Sequence, residues 1–248
     1  MNMVSKMKHH TELGSRIATV HNGSALFTGD AGGGESEIRK HIIENDWLEC
    51  IIALPKNIFY NTGIPTYIFL FTNRKAKHRK GKVQLINATS ERFYYKMRKP
   101  LGKKRVEFSK EHIPVIEKMF LDFEETEFSK IFTNADFGYS QITVNRTLKD
   151  EKGKVVKDAK GKPKPDPKAK DTENIPLKED IQEFFEREVL PFAHDAWWDK
   201  KDTKIGYEIN FAKYFYKHQP PRALSEIAKD IIAIEQETDG LLKEIIEA

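Results

Sequence analysis

Residues 48–55, Leu-Glu-Cys-Ile-Ile-Ala-Leu-Pro, decide the fold. An almost unbroken apolar run of this length, closed by a proline, suits a strand covered on both faces. Immediately upstream, residues 35–44 read Glu-Ser-Glu-Ile-Arg-Lys-His-Ile-Ile-Glu, with acids first, cations later, and Ile38 and Ile42 one turn apart; the pattern predicts a helix. Before it, residues 16–22, Arg-Ile-Ala-Thr-Val-His-Asn, form a β-branched run stopped by Gly23. Strand, helix and strand make a βαβ unit. Downstream, residues 66–72, Thr-Tyr-Ile-Phe-Leu-Phe-Thr, follow a loop too short to hold a crossover helix, so this strand runs antiparallel to 48–54. Another strand, 82–88, follows the basic turn 73–81. Residues up to about 89 therefore read as the end of an open α/β sheet with a reversed strand, because one helix leaves a face of such a sheet uncovered.

Beyond the sheet the spacing predicts an amphipathic helix over 110–123, a short strand over 139–145 and a helix over 177–189. Residues 149–171 hold almost no apolar side chains and cannot offset their ordering entropy, so a mobile loop is expected. After Pro220-Pro221, residues Leu224, Ile227, Ile231, Ile234, Leu241 and Ile245, with Thr238 between, keep an alternating three-four spacing. That is a heptad seam; the pattern leaves open a coiled coil or a helix packed on the chain's own core. The expected organisation is 1–92 for the end of the sheet, 93–148 for a connecting α+β segment, 149–174 for a mobile lysine-rich loop and 175–248 for a helical tail.

Composition narrows the classes. The 248 residues are 39% hydrophobic and 32% charged, and no apolar run is long enough to cross a bilayer. One cysteine, Cys50, excludes a disulfide scaffold and a cysteine-based zinc cluster, and a cytosolic protein is expected. A net charge of +4 is too balanced to imply nucleic-acid binding by itself.

Several local signals admit two readings. Gly29 to Ser36 has the spacing of a phosphate-binding loop, but Glu35 stands where the lysine is required and repels phosphate, so a flexible helix entry is the better reading. His9-His10 and His194-Asp195 lack a third ligand at a metal-binding spacing and read as surface histidines. The run 74–80, Arg-Lys-Ala-Lys-His-Arg-Lys, is a solvated turn or a phosphate contact through Arg74, Lys75, Lys77, Arg79 and Lys80. The loop 55–63, Pro-Lys-Asn-Ile-Phe-Tyr-Asn-Thr-Gly, sets Phe59 and Tyr60 beside amides and a glycine; aromatics there plug a core or offer a ligand platform.

At this loop the sequence resembles a known family. His-Asn-Gly-Ser-Ala-Leu-Phe-Thr-Gly-Asp (21–30), Gly-Glu-Ser-Glu-Ile-Arg (34–39) and Phe-Tyr-Asn-Thr-Gly-Ile-Pro-Thr (59–66) are similar to the modification subunit of type I restriction-modification systems. The likeness continues through Asp-Phe-Gly-Tyr (136–139), Ile-Thr-Val-Asn-Arg (142–146), Asp-Ala-Trp (195–197), Ile-Gly-Tyr-Glu-Ile (205–209) and Pro-Pro-Arg (220–222). The resemblance implies S-adenosylmethionine-dependent methylation of the N6 amine of adenine in DNA. It also implies the C-terminal part of a Rossmann-like methyltransferase sheet with a reversed strand, followed by a mainly helical tail. The family's Asn/Asp-Pro-Pro-aromatic tetrapeptide, whose acceptors draw the amine lone pair out of conjugation, is absent, as is its glycine-bearing cofactor loop. The Pro-Pro here, His-Gln-Pro-Pro-Arg (218–222), lacks both the acid or amide and the aromatic. The chain is therefore expected to be a C-terminal portion, opening inside a helix at 1–10, with no catalytic or cofactor-binding residue of its own and no activity alone.

The same resemblance makes Phe59, or Tyr60, the candidate on which a flipped adenine stacks. It assigns the seam from Leu224 to Ile245 to helices of the DNA-specificity subunit. The implied partners are that subunit, the restriction subunit, double-stranded DNA and the N-terminal half of the same subunit, with no membrane. The alternatives are a non-catalytic assembly module that binds the specificity subunit, and a non-specific nucleic-acid binder using 74–80 and 149–170.

Overall fold

The computed structural model describes residues 1–216 and 221–246, with the side chains of Glu235, Glu237 and residues 239–246 outside that description. The chain divides into two compact units, 1–215 and 216–248. The first is built on a five-stranded sheet of β1 (Arg16–Asn22), β2 (Leu48–Leu54), β3 (Thr66–Thr72), β4 (Lys82–Asn87) and β7 (Ser129–Thr133), in the order β1-β3-β2-β4-β7. Between β1 and β2 lie the short α1 (Ser24–Phe27) and the longer α2 (Gly34–Glu44). β3 is antiparallel to both β1 and β2 and lies between them, so β1 and β2 run parallel with the helices as their crossover. β4 is parallel to β2, and β7 is antiparallel to β4.

β2 is buried at all seven positions, as its apolar run requires. The pleat sends Ile51 and Ala53 to one face, with Ile43 of α2, and Cys50, Ile52 and Leu54 to the other. That second face is covered by Ile116 of α3 (His112–Asp122). The uncovered face expected from one helix is thus closed by the later helix.

Two further sheets complete the unit. β5 (Tyr95–Leu101) and β6 (Lys104–Glu107) form a hairpin. β8 (Gly138–Val144) lies between β9 (Asp171–Pro176) and β10 (Lys204–Tyr207). The expected boundary at residue 92 is not kept, because β7 joins the main sheet and Phe137, Tyr207, Ile209 and Phe211 join its core. The expected start of the tail at 175 is not kept either, since the chain remains in the first unit to residue 215. The helix predicted from 177 begins at Ile181 as α4 (Ile181–Phe184), where the Asp180 carboxylate accepts from the Gln182 and Glu183 amides, and it continues as a π-helical turn to Val189. The helical opening expected at 1–10 is a single 3-10 turn, Val4–Lys6.

Several of the separated blocks meet on α2. The Ser36 hydroxyl accepts from the Tyr207 amide at 3.0 Å, and Arg39 Nε donates to the Tyr207 carbonyl at 2.5 Å. The Tyr207 hydroxyl donates to Glu44 at 3.3 Å, and burial beside that carboxylate pushes its pKa up to about 12. Gly206 is required there, because a Cβ would stand 2.4 Å from the Tyr139 ring. After Tyr207 the unit ends in α5 (Phe211–Phe215).

The second unit contains α6 (Leu224–Ile246), a single helix over the whole expected seam.

Candidate nucleic-acid interface

β2 hands over to its loop at Pro55, which has no amide to donate to a ladder. The backbone then takes a left-handed turn at Asn57, with φ 60°. Gly63 closes over that residue, because a Cβ there would lie 2.6 Å from Asn57 Oδ1. Ile58 points into the α3-side core, while a bridge between Phe59 and Thr62 shapes the tip. Phe59 is 38% exposed and Tyr60 is 55% exposed, so neither aromatic is a core plug.

The loop is held from outside by the β5–β6 hairpin. The Asn57 carbonyl accepts from the Arg105 amide at 2.9 Å, and the Tyr60 carbonyl accepts from the Lys103 amide at 2.8 Å. Gly102, at φ 60°, sits on Tyr60 so closely that a Cβ would meet its carbonyl oxygen at 2.9 Å. This hairpin is also the most basic neighbour of the loop: Lys96, Arg98, Lys99, Lys103, Lys104 and Arg105 fall within ten residues that contain no acid. Lys96 pairs with Glu91 at 2.6 Å and half-buried Lys104 with Glu107 at 3.5 Å, while Arg98, Lys99, Lys103 and Arg105 are exposed. In the sequence these residues fall in the connecting α+β segment 93–148. The signal was present, a Leu-Gly-Lys-Lys turn between two basic stretches, with Gly102 supplying the positive φ. An exposed aromatic pair braced by a cationic ribbon can stack a planar base while neutralising a nearby phosphate backbone.

A family model described as N-6 DNA Methylase matches residues 2–153. The chain belongs to that family. Among curated relatives, it is 32% identical over 146 residues to the type I restriction enzyme MjaVIII methylase subunit of Methanocaldococcus jannaschii, covering 58% of this chain and 24% of that protein. It is 28% identical over 174 residues to the MjaVII methylase subunit of the same organism, covering 70% of this chain and 26% of that one. Among solved structures, it matches a type I restriction-modification system methyltransferase subunit from Streptococcus thermophilus at 28% identity and a TM-score of 0.40, over 49% of this chain and 23% of the other. The chain thus spans about a quarter of the length of the relatives it matches.

In this methylase-family chain the basic run 74–80 is divided between surface and interior. Lys75 is buried, its ammonium 2.6 Å from Asp46 and 2.7 Å from the Lys82 carbonyl; burial lowers its pKa and Asp46 opposes that shift. Arg79 is buried too, its guanidinium 4.3 Å from the centre of each of the Phe120 and Phe123 rings. It donates to the Gln84 side chain and to the Phe120 carbonyl near the end of α3, and lies 4.0 Å from Glu49. Neither cation is available to a phosphate, so both are withdrawn from the candidate contacts. Arg74, Lys77 and Lys80 stay exposed, with Arg74 bonded to the His9 carbonyl.

The glycine-rich loop 29–34 is closed by contacts of its own. It folds on itself, with the Gly33 amide donating to the Asp30 carbonyl at 2.8 Å, and the Glu35 carboxylate lies close enough to Gly29 that a Cβ there would meet it at 2.9 Å. Asp195 does not orient His194; its carboxylate is held by Arg146 and Thr147. On α6, Leu224, Ile227, Ile231 and Ile234 are exposed. The side chains of Leu241 and Ile245 lie outside the described residues, as do His218, Gln219 and Pro220 of the Pro-Pro block.

Proposed function

We propose that this chain is the portion of a type I restriction-modification DNA methyltransferase subunit that faces the target base. In the complete subunit, S-adenosylmethionine supplies the methyl group for adenine N6. The chain's own contribution is to stack the extruded base on Phe59, with Tyr60 beside it, and to hold the flanking backbone on the β5–β6 ribbon. The observation that carries this reading is the exposed aromatic tip between β2 and the reversed β3, braced at Asn57 and Tyr60 by basic-hairpin amides. The folded-in loop 29–34 supports placing the cofactor elsewhere in the subunit. On this reading, the chain mixed with S-adenosylmethionine and DNA yields no methyladenine, and turnover would overturn the assignment.

The base-side role is tested with a duplex carrying one bulged 2-aminopurine, whose extrusion cost is low. Base–aromatic stacking of about 1–3 kcal/mol predicts a preference for the bulged over the paired duplex of roughly 5- to 150-fold. Phe59→Ala should remove that preference and Phe59→Tyr should keep it. A preference that survives Phe59→Ala removes Phe59 from the site.

A second reading, assembly without chemistry, is favoured by the exposed Leu224, Ile227, Ile231 and Ile234 of α6. It takes the DNA-specificity subunit as partner through a helix-on-helix seam. Replacing Ile231→Asp and Ile234→Asp together should abolish co-purification with that subunit, and undiminished co-purification refutes the seam.

A further inference from the structure

The lysine-rich stretch is not a structureless loop. Leu148, Val156 and Lys164, spaced eight residues apart, close a ring of backbone hydrogen bonds: the Val156 amide donates to Leu148 at 2.8 Å, Lys164 to Val156 at 2.9 Å, and Leu148 to Lys164 at 2.8 Å. The flanking amides of Asp150, Asp158 and Asp166, again eight apart, donate to the carbonyls of Lys154, Lys162 and Arg146. Isolated bridges Lys149–Val155, Lys157–Pro163 and Thr147–Pro165 complete three similar lobes.

One local device builds each lobe. Asp150 Oδ1 accepts from the amides of Lys152 and Lys154, and Asp158 Oδ1 from those of Lys160 and Lys162, all at 2.8–2.9 Å. Asp166 Oδ1 accepts from Lys168 in the same way. Gly153 and Gly161 take the left-handed conformation at φ 76° and 77°. The underlying repeat is Asp-x-Lys-Gly/Ala-Lys at 150, 158 and 166. Backbone hydrogen bonds and aspartate-capped turns order this segment in place of an apolar core.

The consequence is a display of charge. Residues 149–170 carry nine lysines and four acids, a surplus of +5 in a chain whose total is +4. All nine lysines are exposed. The root is pinned: Asp195 accepts from Arg146 at 2.7 Å and from the Thr147 hydroxyl at 2.6 Å, and Asn145 bridges Trp197. The lysines thus project from ordered turns, which lowers the entropy lost when they meet a partner.

We propose that this three-lobed ladder is a phosphate-backbone contact surface for double-stranded nucleic acid, used without reading sequence. The inference rests on the reading of the chain as part of a DNA-modifying subunit and adds a surface separate from the Phe59 loop. Lysine point charges on a regular array suit a dense polyanion, whereas an acidic protein partner is normally anchored by buried aromatics and arginines. The ladder from 147 to 170 contains no aromatic and no arginine, and its one well-exposed large apolar side chain is Val155.

The test is fluorescence anisotropy of the whole chain with a fully paired duplex of arbitrary sequence, across a salt series. One variant carries Lys152→Gln, Lys154→Gln, Lys160→Gln, Lys162→Gln, Lys168→Gln and Lys170→Gln. Its log-affinity against log-salt slope should be shallower by about 3–5, with affinity at low salt down at least about tenfold. Asp158→Ala, which frees the second lobe but keeps every lysine, should give a smaller loss at an unchanged slope. Wild-type binding with a slope the sixfold variant does not alter overturns the proposal, as does a wild-type chain that binds no paired duplex. Poly-glutamate that binds as tightly as the duplex, and loses affinity equally in the variant, assigns the ladder to a protein partner and overturns it too. Phe59→Ala should leave this slope untouched, so the ladder and the base-side reading fail separately.

Discussion

Arg79 and Lys77 sit two residues apart in one basic run and have opposite fates. Arg79 lies between two phenylalanine rings and closes the carbonyl end of α3, where the helix dipole favours a cation. It also stands beside Glu49, a carboxylate buried in β2. Arg79→Met should therefore destabilise the first unit by about 3–5 kcal/mol, because a buried acid loses a compensating charge. Lys77→Met should move stability by no more than about 0.5 kcal/mol. Denaturant midpoints separate the two, and equal shifts would refute the buried role. Seven contiguous residues announce a basic turn, but nothing local says which cations turn inward. That is decided by Asp46, Glu49 and α3, at some distance in sequence. Asp195 shows a second residue-scale effect. Hydrogen bonds from Thr147 and Arg146 hold its carboxyl well below the usual carboxylate range. Its ionised form is favoured in the folded state, so its stabilisation is present above the unfolded pKa of about 3.9 and fades as pH falls below it. Asp195→Asn should cost about 1 kcal/mol at pH 7, the modest value expected for a largely solvent-screened group. The gap between variant and wild type should narrow steadily from pH 5 to pH 3 in urea melts; a constant gap would contradict the assignment.

Elements with a strong pattern of their own were legible. β1, β2, β3 and α2 fall almost residue for residue where the sequence pattern puts them, and β2 and β3 bury the apolar positions that their sequences display. β7 was not legible: Ser-Lys-Ile-Phe-Thr is short and mixed, and it becomes a strand by pairing with β4, more than forty residues upstream. The β5–β6 hairpin was not legible for a similar reason, because its charged residues leave Tyr95, Met97, Leu101 and Val106 too sparse to show a period. Its proposed bracing of the Phe59 loop turns on one backbone position. Gly102→Ala places a methyl against the Tyr60 carbonyl in a left-handed conformation, so the turn must open or lift away. The expected cost is about 1–3 kcal/mol of stability, together with a reduced preference for the bulged duplex. Retained preference and unchanged melting would mean that the hairpin does not position the loop.

For the first unit taken whole, local sequence and surroundings disagree at one place. Ile17, Ala18, Thr19 and Val20 of β1 make a run written for burial, yet five of the seven β1 positions are exposed and Val20 is 51% exposed. β1 is the edge of the sheet, paired on one side by β3. Ile17 and Thr19 also line a cavity of about 300 Å³ with Ile38 and Ile42 of α2. Such conflict between pattern and environment marks a surface that association relieves. β1 carries no proline and no bulge in its pairing with β3, the usual protections of an exposed edge. Two copies can pair antiparallel about Thr19, setting Ala18 opposite Val20 and extending each sheet without altering either core. The isolated chain should therefore self-associate at micromolar concentrations, visible in sedimentation velocity as a weight-average coefficient that rises with loading. Val20→Lys puts a charge on the pairing face and should return the chain to a concentration-independent monomer without lowering its melting temperature. If the wild-type chain sediments as one monomeric species up to about 100 μM, far above the Kd of about 1 μM that roughly 8 kcal/mol of association free energy would give, the edge is satisfied within the chain and its apolar run needs another cause.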